Sequence, residues 1–288
     1  MNYTFYNCSS LTSINLSNFN PNNLAEINSM FYGCTSLTSI DIKKFNTKKV
    51  KDMNSLFYDC SSLKSLDLSN FNTDNTLYMN HMFYNCSSLT SIILSNFNLS
   101  NVISTDSMFY KCSNLISIQF SNIKLNNIDN MNYTFYECNS LTSIGLINIE
   151  TNNLINMGYI FYNCYSLKSI AFSNNIINTN NINYMFYNCS SLTSIDLSSF
   201  HTSQIDYTAN YYEVHGIKFY YLVYAFEKVF YFCTNLEYLD ISSLEIIEAT
   251  SVDFFNDCLP DSGTIKICLN YSNKIQSEIP NDWKVIYN

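Results

Sequence analysis

MFYNCSSLTSIILSNFNLSNVISTDS, residues 82–107, is one unit of a chain that writes the same unit about ten times. Its cysteine, Cys86, belongs to a series at 8, 34, 60, 86, 112, 138 and 164, each 26 residues from the last. Cys189, Cys233 and Cys258 follow at intervals of 25, 44 and 25. A fixed period between about 20 and 50 residues marks a solenoid, whose repeats bury their apolar faces only against their neighbours. The 288 residues are therefore expected to form one elongated unit rather than two compact domains.

Around each cysteine, taken as position zero, the other residue types fall into columns. Phe stands at −3 in all ten copies, from Phe5 to Phe255, and Tyr at −2 in nine, with Asn256 the exception. Leu occupies +3 in nine copies, Ile or Leu +6, and Leu, Ile or Phe +8, as in Leu89, Ile92 and Leu94. The last three residues of this Leu-x-x-Ile-x-Leu string alternate apolar, polar, apolar, which predicts short strands near 39–42, 65–68 and 91–94. Apolar residues at −7, −4, −3 and 0, such as Met79, Met82, Phe83 and Cys86, have helical spacing. They predict a turn or two of α-helix or 3₁₀-helix before each cysteine. The intervening SNFNT-like stretches read as turns, because Ser, Asn and Thr side chains satisfy backbone groups locally. The expected fold is thus an α/β solenoid, right-handed by the strand-crossover rule, with one short parallel strand per 26-residue coil.

The string Leu-x-x-Ile-x-Leu resembles the leucine-rich repeat. The usual repeat places Asn three residues after its last Leu, to bond the backbone of the turn. Here Phe19, Phe45, Phe71, Phe97 and Phe200 stand there, with Ile123, Ile149 and Leu244 in other coils, so the turn is expected to be held by an apolar column. Together with the Met/Ile-x-x-Met-Phe-Tyr-x-Cys segment before each strand, this is similar to a narrower group, the BspA-like surface proteins with 26-residue repeats. The similarity covers residues 1–258. It implies a leucine-rich-repeat-like solenoid and a role in cell-surface adhesion or recognition, with a protein or a host or matrix surface as the ligand.

Composition narrows the field of functions. With 47% apolar residues the core is amply supplied, and only 13% of residues are charged. A net charge of −9 opposes a phosphate-binding face, and the KKFNTKK stretch at 43–49 reads as the solvated edge of one coil, so no nucleic acid is expected. No segment is apolar for long enough to cross a membrane; residues 217–233 fail on length and on Lys218, Glu227 and Lys228. Ten of the 11 cysteines share one phased column, where a free thiol acts as a small buried hydrophobe and parallel side chains suit a disulfide poorly. Cys268 stands off the column, with a bridge to Cys258 as the alternative to two more free thiols. The three histidines lie in separate repeats, and no phosphate loop, nucleophile elbow or His-Glu-x-x-His occurs. Asp41, Asp67, Asp196 and Asp240 share an outward strand column that reads as solvated surface. The expectation is a chain with no enzymatic activity, no metal and no cofactor.

Two irregularities remain. The 44-residue gap between Cys189 and Cys233 holds an insertion at about 206–223, DYTANYYEVHGIKFYYLV, crowded with tyrosines. Insertions loop out from one face of a solenoid and often carry its binding residues, so Tyr207, Tyr211, Tyr212, His215, Tyr220 and Tyr221 are the candidate partner contacts. The competing reading is an extra hairpin packed on the solenoid flank. After Cys258 the pattern stops, and residues 259–288 read as a C-terminal cap with a strand at 264–269, a short helix at 272–279 and Trp283 over the last open coil. At the other end, MNYTFYNC is in phase with MNYTFYEC at 131–138, so the sequence is expected to be part of a longer protein. Function divides between a cell-surface or secreted adhesion and recognition module and an intracellular, cytoplasmic scaffold that binds a protein along its sheet. The column of free thiols and the lack of a signal segment favour the scaffold slightly.

Overall fold

A computed structural model describes residues 1–16, 24–120, 125–146, 153, 155–172, 177–202, 211–214, 217–220, 226–244, 255, 259–267 and 279–287. In chain order its strands begin with β1 (Ser13–Asn15), β2 (Ser39–Asp41), β3 (Ser65–Asp67), β4 (Ser91–Leu94), β5 (Ser117–Phe120) and β6 (Ser143–Leu146). Then come β7 (Ile155–Asn156), β8 (Ser169–Phe172), β9 (Ile177–Asn181), β10 (Ser194–Asp196) and β11 (Phe200–His201). The last are β12 (Tyr211–Val214), β13 (Ile217–Tyr220), β14 (Tyr238–Asp240), β15 (Thr264–Ile267) and β16 (Lys284–Tyr287).

Nine of these strands, β1 to β6, β8, β10 and β14, fall where the Leu-x-x-Ile-x-Leu string predicts, and the neighbours that bond pair in parallel with equivalent residues opposite. Ser65 faces Ser91 and Leu66 faces Ile92 across β3 and β4; Ser143 faces Ser169 and Ile144 faces Ile170 across β6 and β8. These strands do not run as one unbroken sheet but fall into the groups β1-β2, β3-β4-β5, β6-β8 and β10-β14-β15-β16. At three or four residues per strand, the loss of one hydrogen bond is enough to part neighbouring groups. A second parallel column lies eight residues before the cysteine. Isolated bridges run Asp52 to Tyr78, Ser104, Asn130 and Asn156, and β7, β9 and β11 continue along that side. That stretch was expected to be turn alone.

The segment before each cysteine corrects the α/β expectation: among the described residues there is no helix. Here it is a run of tight turns. The N–H groups at −4, −2 and 0 bond three residues back, as Met82 to Met79, Tyr84 to His81 and Cys86 to Phe83 do. Those at −5, −3 and −1 instead bond the next coil, His81 to Asp106, Phe83 to Met108 and Asn85 to Tyr110. Such alternation needs left-handed backbone at −5 and −1; φ is +57° at His81 and +55° at Asn85. Each such residue costs roughly 1–2 kcal/mol unless it is Gly, Asn or Asp. Asn7, Gly33, Asp59, Asn85, Asn163 and Asn188 supply those types at most of the −1 positions. The apolar spacing of 3 and 4 was real, but it arose from turns that send every second N–H along the solenoid.

Side chains repeat the stacking. Phe83, Cys86, Leu89, Ile92, Leu94 and Phe97 are all buried, as are Met79 and Met82. The −3 phenylalanines stack nearly parallel, Phe83 lying 5.9 Å from Phe57 and 5.1 Å from Phe109. Phe45, Phe71, Phe97 and Phe200 form the apolar column expected at the turn. Beside it two buried threonines do the work of the missing Asn. Thr73 Oγ1 donates to Asn98 O at 2.9 Å and accepts from Asn98 N at 2.8 Å, and Thr47 bonds Asn72 in the same way.

No disulfide joins any two of the nine described cysteines, Cys8 to Cys233, and eight of the nine are buried. The thiol of Cys86 donates to Phe57 O of the preceding coil at 3.1 Å, and Cys112 does so to Phe83 O. A group that is small, apolar and still able to donate is what this position demands, and Cys meets all three needs. Cys8 is exposed, against expectation. Cys258 and Cys268 lie outside the described residues, so their bridge does too.

After β14 the sheet continues through β15 and β16 in parallel register, Leu239 facing Ile265 and Ile265 facing Val285. The helix expected at 272–279 lies outside the described residues save Ile279, which is buried. Trp283 is 5% exposed and donates Nε1–H to Pro260 O at 2.8 Å. Gly263 makes room for it: a Cβ there would sit 2.6 Å from the indole and 2.9 Å from Glu237 O. Neither a rigid ring nor a backbone carbonyl yields easily. Gly263→Ala is therefore expected to cost about 1–3 kcal/mol by overpacking. Fluorescence of Trp283, the only tryptophan, should shift to the red as the indole is displaced; unchanged emission and stability would show that the ring can adjust.

Candidate recognition surfaces

The turn segment that buries Phe at −3 leaves Tyr at −2 half in solvent. Tyr6, Tyr32, Tyr58, Tyr84, Tyr110, Tyr136, Tyr162, Tyr187 and Tyr231 form one continuous stack. From Tyr32 to Tyr187 neighbouring rings are 4.3–4.7 Å apart and within 7° of parallel. Each ring's faces are covered by its neighbours, so the ladder offers solvent the ring edges and a row of hydroxyls. Burial first, and the adjacent phenol next, push the Tyr58 and Tyr84 hydroxyls above the usual phenol range. The sequence shows this column plainly, yet composition alone does not say that its rings stack.

A shorter column at −5 widens the strip. Tyr133, Tyr159 and Tyr184 stack at 4.8 and 4.7 Å, and each meets the main ladder at a tilt, as Tyr133 does Tyr136 at 5.6 Å and 64°. Burial raises Tyr159 to about 12. Tyr184 donates to Glu227 Oε1 at 2.6 Å, fixing the end of this patch, and Phe232 stands 41% exposed beside Tyr231 and Tyr187.

The strand face is polar and shallow. Ser39, Ser65, Ser91, Ser117 and Ser143 lie exposed along it. Its aspartates are engaged in turns: Asp41 accepts from Lys43 N, Asp67 from Ser69 N, Asp196 from Ser198 N, and Asp240 from Ser242 N and Oγ. Bonds from Ser69 hold the Asp67 carboxyl below its ordinary value. Among the described residues no group of three or more His, Cys, Asp or Glu converges as a metal site would require.

The insertion contains an antiparallel hairpin, with Tyr211 opposite Tyr220, Tyr212 opposite Phe219 and Val214 opposite Ile217. The expected candidates Tyr211, Tyr212 and Tyr220 belong to its strands. Tyr207, His215 and Tyr221 lie outside the described residues.

Stacked parallel strands, inward leucine and phenylalanine columns and an aromatic edge define a parallel β-solenoid similar to leucine-rich-repeat proteins. The family described as "Mycoplasma protein of unknown function, DUF285" matches residues 1–123 and again 113–216, and the chain belongs to that family. No curated protein matches it. Among solved structures, an internalin (inlF) of Listeria monocytogenes is 16% identical, with 96% of this chain and 83% of that one covered and a TM-score of 0.30. The leucine-rich repeat domain of APL1B is 14% identical over 89% and 76% of the two chains, at a TM-score of 0.33. A TLR13–ssRNA13 complex is 12% identical over 90% and 48%, at 0.26. The fold reading rests on the registers and columns described above. No helix among the described residues is long and apolar enough to cross a membrane.

Proposed function

We propose that this chain is a non-enzymatic recognition module of the BspA-like kind, displayed at the cell surface or secreted, and that it binds a protein or matrix ligand. The observation that carries this reading is the ladder of nine half-exposed tyrosines. Tyrosine offers a large amphipathic contact at low entropic cost, and stacking has already immobilised these side chains before any ligand arrives. Net charge of −9 keeps nucleic acid out of consideration. The hairpin insertion is proposed as a second contact, through Tyr207, Tyr211, Tyr212, His215, Tyr220 and Tyr221, standing on the solenoid of residues 1–258, with 259–288 as the cap. Free thiols do not favour an intracellular scaffold over this reading, because eight of the described nine are buried and hydrogen-bonded, and so are inert in either compartment.

The chain labelled with a fluorophore should bind immobilised matrix proteins or intact host cells, and antibody should reach it on intact producing cells. Deleting residues 206–223, or replacing Tyr84, Tyr110 and Tyr136 with serine, should weaken binding at least tenfold, about 1.4 kcal/mol, while circular dichroism stays that of the folded solenoid. Restriction of the protein to the cytosol would replace surface adhesion with the scaffold reading. Binding unchanged in both variants would move the site to the polar strand face.

A further inference from the structure

We propose that the tyrosine ladder is a site of oxidative cross-linking, at which phenols of adjacent coils are joined ortho carbon to ortho carbon as dityrosine. The geometry that carries this is the spacing and parallelism of the rings. Tyr58, Tyr84, Tyr110 and Tyr136 lie 4.4, 4.4 and 4.5 Å apart in succession, within 3° of parallel. A tyrosyl radical carries spin on its ortho carbons, in p orbitals perpendicular to the ring. Parallel stacked rings point those orbitals at one another, whereas the 64° tilt between Tyr133 and Tyr136 does not. The ring edges reach solvent, so a diffusing oxidant has access. Contact continues without a gap from Tyr6 to Tyr231, so an electron hole entering anywhere can pass between rings until two radicals are neighbours. The cysteine column cannot serve this purpose, because its thiols are buried and committed to backbone carbonyls. The inference does not depend on the ladder binding a partner.

The oxidant is a peroxide used through a haem peroxidase. Each of two phenols gives up one electron and one proton, and the two ortho carbons form a bond. The two hydrogens on those carbons then shift to the oxygens and restore both aromatic rings. Hydrogen peroxide takes the two electrons and two protons and leaves as two waters, so each link removes two hydrogens from the chain. Every link between neighbouring coils closes a covalent loop and restrains the unfolded chain as a disulfide would.

The test treats the folded chain at low concentration with hydrogen peroxide and horseradish peroxidase. Dityrosine fluorescence should appear in monomeric protein, with a mass loss of two hydrogens per link. Peptide mapping should place the links between −2 tyrosines of adjacent coils. A variant with Tyr58, Tyr110, Tyr159, Tyr162 and Tyr231 changed to Phe keeps both ring stacks and all but five of the 24 tyrosines, yet leaves no two stacked phenols adjacent in either column from Tyr32 to Tyr231. Its dityrosine yield should fall several-fold, and chain unfolded in urea before oxidation should lose the adjacent-coil preference. Links scattered alike in folded and unfolded chain, links mainly between molecules, or an undiminished yield in the variant would each overturn the proposal.

Discussion

Phe109→Ala is expected to cost about 3–5 kcal/mol, the range for deleting a buried aromatic side chain. Phe109 has no exposed surface and lies between Phe83 at 5.1 Å and Phe135 at 5.5 Å, so the cavity would open between three coils at once. Collapse is hindered because the backbone on both sides is held, Phe83 N bonding Met108 O and Phe109 N bonding Thr134 O. A solenoid couples only neighbouring repeats, so the damage should be local. Amide exchange should accelerate from the coil of Cys86 to that of Cys138, while the amides around Cys34 keep their protection. Urea unfolding should lose its single transition. A uniform, small loss of protection along the whole chain would contradict the nearest-neighbour picture.

Alkali is expected to unfold the protein steeply. Burial raises the buried thiols and the ladder phenols alike: Cys34 stands near 11 against an ordinary 9.0, Tyr159 near 12 against 10.0, and Cys112, Tyr110 and Tyr136 are also raised. A raised value means that the folded chain holds protons the unfolded chain has released. Stability from these groups is therefore complete below the unfolded values and is lost as pH climbs through the folded ones. The urea midpoint should stay level from neutrality to about pH 9, then fall continuously toward pH 12, with phenolate absorbance rising in the same transition. A midpoint indifferent to pH across that window would mean the columns are wetter than their burial implies. The same burial keeps the thiolate fraction minute, so alkylation at neutral pH should mark Cys8 and spare the eight buried thiols of Cys34 to Cys233 until the chain unfolds.

What the sequence determined by itself is the set of residues that meet. With a period of 26, each residue's neighbour in space is its counterpart one period away, so Phe83 against Phe57 and Phe109, or Ile92 against Leu66, could be read from spacing alone. The strands and the apolar column replacing the Asn ladder were legible for the same reason. Only the tertiary structure decided the backbone between them. Apolar residues at −7, −4, −3 and 0 suit a helix in isolation, but a helix keeps its N–H bonds to itself. The solenoid turns every second N–H toward the next coil through left-handed residues at −5 and −1, and no property of one repeat alone distinguishes the two. The second bridge column, the threonine clasps at Thr47 and Thr73 and the fit of Trp283 over Gly263 were likewise hidden, since each needs the neighbouring coil's backbone in place. The same holds for the ladder. Tyr at −2 is a line in the sequence, but its parallel rings 4.4 Å apart exist because adjacent coils advance by nearly the thickness at which aromatic rings stack.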